Sequence, residues 1–292
     1  MQLSFEPGTN LGRYRVVGTL GRGGMGGVYE VEDSQGVRYA IKSPLTDTNG
    51  AGDVTARFAR EANALRMLEH PNLVAAVDVF VLAGVLFLVM EKVAGDTLGQ
   101  RIRTEGTLHP RQALVITRQI LDGMAHAHAQ GLVHRDLKPD NVILVNMGGW
   151  ECAKVIDFGL VKLLGDAAAA FGANALTSTG LVFGTPAYMA PEQALGRLVD
   201  GRADVYATGV MLFEMLTGRM PFRDPDPQVM MRLHAKQPPP RLDEIVGDAE
   251  WATPQMIALV DGALIKDPQH RFPSAKVMMA ALEDAFASIN DL

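Results

Sequence analysis

The hydrophobic pattern of this chain changes period once, near Gly95, and that change limits the fold more than any other feature. Before it, short β-type runs broken by glycine dominate: Tyr14 to Leu20, Val28 to Asp33 and Val37 to Ser43. The 12-residue apolar run from Val79 to Met90 carries the turn signal Ala83-Gly84 between β-branched residues and reads as a two-stranded hairpin; a membrane-spanning helix needs about 20 residues. One helix interrupts the strands, roughly Val54 to Leu68, with Phe58, Ala62, Leu65 and Leu68 at helical spacing and His70-Pro71 as its stop. Beyond Gly95 the period is helical. Pro110 to Gln130 sets Leu114, Thr117, Leu121, Met124 and His128 on one stripe closed by Gly131. Ala203 to Thr217, Thr253 to Leu264 and Ser274 to Ile289 are further helices, the first stopped by Gly218 and the last capped by Ser274. A β-rich half followed by an α-rich half predicts an α+β fold of two lobes, with a cleft at the short junction Glu91 to Gly95.

Composition narrows the class. Hydrophobic residues are 48% of the 292-residue chain and charged residues 21%, enough apolar material for a real core and no sign of disorder. A formal net charge of -6 argues against nucleic acid as a partner, since phosphate backbones require Lys/Arg surfaces. The lone cysteine, Cys152, forms no disulfide within the chain and fits a reducing compartment. The start, MQLSFEPGTN, lacks the basic and apolar regions of a signal peptide. A soluble, cytoplasmic chain without a membrane segment is expected. Gly165 to Ala175 is alanine-rich and reads as a loop, and Pro238-Pro239-Pro240 as a rigid surface turn rather than a polyproline ligand.

Three motifs carry chemistry. Gly21, Gly23 and Gly26 in GRGGMGGVYE let backbone approach phosphates and offer N–H donors. The same spacing in a dinucleotide-binding fold must open a helix, whereas Val28-Tyr29-Glu30-Val31 continues here as strand, so a β-hairpin over phosphates is predicted instead. Lys42, in YAIK, ends an apolar strand and needs a partner. Glu61, mid-helix beside Phe58 and Leu65, can hold it toward phosphates; a surface lysine and a solvated glutamate is the alternative. The third motif is HRDLKPDN, His134 to Asn141, followed by Asp157-Phe158-Gly159. Phosphoryl transfer needs a carboxylate to orient the attacking hydroxyl, cations on the developing charge and hard oxygen ligands for Mg²⁺. Asp136 supplies the first, Lys138 the second, and Asn141 with Asp157 the third.

With Ala190-Pro191-Glu192 added, the ordered set of glycine loop, YAIK, helix Glu, HRDLKPDN, DFG and APE resembles the eukaryotic-type protein kinases, most closely their bacterial serine/threonine members. The resemblance runs from about Tyr14 to the last helix. It implies a small β-rich N-lobe with one main helix, residues 1–93, and a larger helical C-lobe, residues 94–292. It implies an ATP-dependent serine/threonine protein kinase that uses Mg²⁺ or Mn²⁺. Gly21, Gly23 and Gly26 would cover the phosphates. Leu20, Val28, Ala40 and Ile143 would line the adenine, with Met90 as gatekeeper and Glu91 and Val93 as hinge. Lys42 would hold the α- and β-phosphates and pair with Glu61. Asp136 would be the base, Lys138 would touch the γ-phosphate, and Asn141 and Asp157 would bind the metal.

The resemblance also implies that Glu192 pairs with Arg271, that Asp204 accepts hydrogen bonds from the catalytic loop, and that Leu65, His134 and Phe158 stack. Arg135 would read a phosphate on the segment Asp157 to Glu192, where Thr177, Ser178 and Thr179 are the phosphorylation candidates and Thr185 is structural. Departures from the family pattern are Gly27, where a larger residue is common, and Lys92, at a hinge position often aromatic. His126 and His128 read as packing residues, not a metal pair. Protein substrates follow from the resemblance, and it allows a homodimer for trans-autophosphorylation. A catalytically silent pseudokinase serving as a nucleotide-binding scaffold would lack Lys42, Asp136 or Asp157, all present here. A small-molecule kinase would lack APE and the Arg271 partner.

Overall fold

The computed structural model describes residues 4–23, 26–44, 65–83, 85–158 and 186–289. They fall in two compact units, one ending at Ala94 and one beginning at Gly95.

The first unit is an antiparallel sheet of β1 (Asn10–Leu11), β2 (Tyr14–Gly23), β3 (Gly26–Glu32), β4 (Arg38–Pro44), β5 (Ala76–Leu82) and β6 (Val85–Glu91), in the order β1-β2-β3-β4-β6-β5. Strict alternation decides its two faces. On β3 every second residue is buried, so Tyr29 and Val31 join Leu11, Tyr14, Val16, Ile41, Phe87 and Val89 in one core. The turn between β3 and β4 is an Asx turn: the Asp33 carboxylate accepts from the Gln35 and Val37 amides. The hairpin read at Ala83-Gly84 stands where predicted, between β5 and β6, with Ala83 in the left-handed region. The helix read from Val54 to Leu68 lies outside the described residues except for its last four positions, 65–68.

The second unit holds α1 (Leu98–Glu105), α2 (Pro110–Ala129), α3 (Pro191–Ala194), α4 (Arg202–Thr217), α5 (Pro227–Lys236), α6 (Leu242–Val246), α7 (Pro254–Ala263) and α8 (Ala275–Ser288). A small sheet joins β7 (Asp96–Thr97), β8 (Val142–Asn146) and β9 (Glu151–Val155). The four long predicted helices form within a residue or two of expectation, and local chemistry sets their ends. Thr253 and Ser274 cap α7 and α8, and Gly218 stops α4 in the left-handed conformation. Helix α1 escaped the periodicity because it is polar, yet Thr97 and Gln100 spell its capping box. Helix α4 is buried on almost every side, the mark of a central helix. It crosses α7 so closely that a Cβ on Gly209 would lie 2.6 Å from the Ala263 methyl. The three prolines bridge α5 and α6. Among the described residues no helix is long and apolar enough to cross a membrane.

Candidate active site

In the first unit, the cross-strand register collects the predicted nucleotide residues on one face of the sheet. Val28 pairs with Lys42, Lys42 with Leu88, and Ala40 with Met90. Directly opposed residues share a face. Val28, Ala40, Lys42 and Met90 therefore lie on the face opposite the Tyr29–Ile41–Val89 core. Gly21 opposes Val28 and Gly23 opposes Gly26, which places the glycines in the β2–β3 hairpin, as strand rather than helix. Leu20 precedes them, half exposed. Gly27 has a local cause: a Cβ there would sit 2.6 Å from the ring of Tyr29, itself in the core. At the end of β6, Glu91 exchanges hydrogen bonds with Ala75, its backbone N–H donating to the Ala75 carbonyl and its carboxylate accepting from the Ala75 N–H, each at 3.0 Å. Lys92 reaches Glu30 on β3 at 2.7 Å, and Glu30 takes Arg38 at 2.7 Å as well. The lysine at this atypical position thus ties the strand end preceding Val93 to β3. Lys92 and then Arg38 hold the Glu30 carboxyl below its usual range.

In the second unit, the loop His134 to Asn141 is organised around one buried carboxylate. Asp204, in the first turn of α4, accepts from the backbone N–H of His134 and of Arg135, each at 2.9 Å, and from the Nε2–H of His128 at 2.8 Å. Burial works to raise the Asp204 carboxyl, but the His128 hydrogen bond and charge hold it below the ordinary carboxylate range. His128, read from the sequence as a packing residue, does pack closely, since a Cβ on Gly201 would fall 2.6 Å from its ring, and it bonds this carboxylate as well. Asp204 lies 76 positions away in the chain, so no local pattern could announce the contact.

His134 is fully buried and bridges the two halves of the motif. Its Nε2 lies 2.8 Å from the Ile156 carbonyl, which can only accept, so the proton sits there. The bare Nδ1 then accepts the Asp136 N–H at 3.3 Å. Burial lowers the ring's pKa, consistent with the neutral form. Its ring also packs on Phe158 at 4.9 Å. The Lys138 ammonium stands 3.2 Å from the Asp136 carboxylate. Asn141 donates its amide N–H to the Asp136 carbonyl at 2.8 Å, which leaves the amide oxygen for a cation, and its backbone carbonyl accepts from Ile156 N–H at 2.9 Å. That bond brings Asp157 beside Asn141. Arg135 and Asp157 both hold positive φ, 64° and 63°, a strained conformation that clusters at functional sites. Ile143 is the second residue of β8 and pairs with Thr97 of β7. At the start of the unit, a Cβ on Gly95 would fall 2.2 Å from the Leu144 carbonyl, so only glycine fits.

Helix α3 closes the loop from the other side. The Gln193 amide donates to the Arg135 carbonyl at 2.9 Å, another contact the sequence did not reveal. Glu192 and Arg271 form the expected buried pair, at 2.8 and 3.0 Å. Among the described residues no three His, Cys, Asp or Glu side chains converge on a metal position. The Asn141 oxygen and the Asp157 carboxylate are hard ligands suited to Mg²⁺, which keeps several ligands for water and phosphate. Glu61, Thr177, Ser178, Thr179 and Thr185 lie outside the described residues.

The buried histidines make stability acid-sensitive. Burial depresses the His234 pKa to about 3, below that of an unfolded histidine, so the unfolded chain takes up the proton first. Stability is then lost as pH falls below about 6.5, by roughly 1.4 kcal/mol per pH unit for that residue until its folded pKa is reached. His134 and Asp204, also depressed, act in the same direction. Urea unfolding at pH 6.5 and pH 5 is expected to differ by about 2 kcal/mol from His234 alone, and His234→Gln should remove that part. Equal midpoints at the two pH values would contradict it.

Residues 14–284 match the family model described as the protein kinase domain. The serine/threonine-protein kinase PrkC of Bacillus subtilis is 38% identical over 279 residues, covering 94% of this chain and 41% of that protein. Pkn1 of Myxococcus xanthus, named a serine/threonine-protein kinase, is 38% identical over 282 residues, covering 96% and 39%. The chain thus spans about two fifths of the length of these curated relatives. The solved kinase domain of Mycobacterium tuberculosis PknI is 25% identical with a TM-score of 0.75, covering 97% of this chain and 100% of that one.

Proposed function

The chain belongs to the protein kinase domain family, and from that premise we propose that it transfers the γ-phosphoryl group of ATP to serine and threonine hydroxyls of proteins in the cytoplasm. The observation that carries the reading is the Asp136–Lys138 pair, 3.2 Å apart on a loop whose backbone is bonded to Asp204. A carboxylate at this point accepts the proton of the attacking hydroxyl, and the neighbouring ammonium neutralises charge on the transferred group. Asn141 and Asp157 would hold Mg²⁺ or Mn²⁺, which supplies charge neutralisation at the phosphate oxygens. Lys42, with Glu61, would fix the α- and β-phosphates under the backbone of Gly21, Gly23 and Gly26. Leu20, Val28, Ala40, Met90 and Ile143 are the apolar residues for adenine, and Glu91 and Val93 its hydrogen-bonding backbone.

Radiolabelled ATP, with and without a chelator, tests the reaction. Label should appear on serine and threonine of a generic basic protein, vanish with the chelator, and be absent from aminoglycosides and choline. Label on tyrosine alone, or on the small molecules, would overturn the substrate class. Thr177, Ser178 and Thr179 are proposed as autophosphorylation sites, exchanged between two copies. A mass map of protein incubated with ATP should find phosphate there, at a rate per molecule that rises with protein concentration. Its absence from all three would remove them.

A further inference from the structure

The chain ahead of β1 is fastened to the first unit before any strand begins. The Gly8 N–H donates to the Val16 carbonyl at 2.8 Å, and the Val16 N–H returns a bond to the Thr9 carbonyl at 2.9 Å. Three residues before Gly8, Phe5 packs on the core of the sheet. Its ring meets that of Tyr29 edge to face, with centroids 5.3 Å apart and planes at 71°, and lies 5.8 Å from that of Phe87. Both partner rings are buried. Edge-to-face contact at this distance is a preferred geometry for two aromatic rings.

Tyr29 carries this contact to the glycine hairpin. Residues two apart on a strand share a face, and the tyrosine ring lies along Gly27: an added Cβ there would fall 2.6 Å from Cε2 and 2.7 Å from the hydroxyl oxygen. Gly27 is buried although it has no side chain, because the ring occupies that space. The strand needs such cover. Glycine has more backbone freedom than any other residue, and Gly26, at φ 135°, and Gly27 open β3 together. An aromatic ring laid over a strand glycine restores the missing packing. Val28, the next residue, faces the opposite side, where it opposes Lys42. Any swing of the Tyr29 ring off Gly27 breaks its edge contact with Phe5.

We infer that Phe5 is a positioning residue for nucleotide binding: it fixes the Tyr29 ring on Gly27 and so stiffens the β3 side of the glycine hairpin. Phe5 touches no reacting atom and acts only through Tyr29. The inference rests on the reading that ATP lies under that hairpin. It also gives the unusual Gly27 a counterpart, since the space left by its side chain is filled by a ring that a residue ahead of β1 holds in place.

Titration with a fluorescent ATP analogue tests it. Phe5→Ala should weaken binding about fivefold, the weight of one aromatic pair, and raise KM for ATP by the same factor. kcat at saturating ATP and KM for a protein substrate should not change. Phe5→Tyr, which keeps the ring edge, should recover most of the affinity. Gly27→Ala supplies the second arm. In the wild-type background its Cβ meets a held ring, and binding should weaken. In the Phe5→Ala background the ring can yield, and the same substitution should cost little. Additive losses would make the two positions independent and sink the idea. So would a fall in Tm for Phe5→Ala with unchanged nucleotide affinity, the result of a purely structural role. A wild-type protein that binds no nucleotide would instead refute the proposed function, and amide hydrogen exchange then judges the positioning: Phe5→Ala should speed exchange at Gly27 and Val28 about fivefold and leave α4 unchanged. Equal rates at the hairpin would overturn it.

Discussion

Asp136→Asn is expected to lower the phosphotransfer rate by about 10² to 10⁴-fold, the range for loss of a positioned general base, while ATP affinity stays within a few fold. The substitution is nearly isosteric. The backbone N–H of residue 136 would still reach His134 Nδ1, its carbonyl would still accept from Asn141, and the Asp204 anchor would be untouched. What disappears is the anionic oxygen 3.2 Å from Lys138, the group proposed to take the hydroxyl proton as the new phosphoester bond forms. Single-turnover measurements at saturating ATP and protein substrate report the chemical step, and nucleotide titration reports binding. A variant with unchanged turnover would show that another group accepts the proton. One that loses ATP binding as well would mean that the loop had been disturbed.

The largest stability effect is expected at Arg271. Its side chain has no exposure and makes a bidentate pair with Glu192, itself only 4% exposed. The same guanidinium donates to the carbonyls of Ile265 at 2.9 Å, Arg202 at 2.6 Å and Lys266 at 3.2 Å, and lies 5.0 Å from the Tyr206 ring centre. Arg271→Ala would strand a buried carboxylate and three carbonyls, at a cost of about 3–5 kcal/mol. For a chain of this length that corresponds to a fall in Tm on the order of 10 °C. Arg271→Lys should recover little, because an ammonium cannot reproduce the planar fork. Arg271→Met with Glu192→Leu should be milder than Arg271→Ala, since it removes both charges and leaves neither stranded. Chemical denaturation of the three variants gives the comparison. A loss below about 1 kcal/mol for Arg271→Ala would place the pair among surface ion pairs.

Both predictions start from residues visible in the sequence, but their weight comes from different sources. Asp136, Lys138 and Asn141 fall within six consecutive positions. Any backbone that turns there must bring them together, so the chemistry of the loop could be read directly. The strands, the hairpin at Ala83 and the helices capped by Ser274 and Thr253 were equally legible, because period and capping are properties of neighbours along the chain. The polar helix Leu98–Glu105 was not, for want of an apolar stripe. Nor did sequence reveal why Gly27 is glycine: the buried ring of Tyr29 occupies the space its side chain would need.

The contacts between distant residues are of another kind. His128 with Asp204, Gln193 with the Arg135 carbonyl, and Lys266 with Tyr206 and His234 join residues 28 to 76 positions apart. A one-dimensional pattern records whether a position is buried, not which distant group meets it there. The sequence alone therefore determined the local elements, the family and the candidates for the reacting groups. Only the tertiary structure decided which carboxylate the loop His134 to Asn141 hangs from, which tautomer His134 takes and which groups the buried Tyr206 hydroxyl meets. Buried polar groups must find partners inside the fold, and those partners arrive from separate elements only when the helices pack.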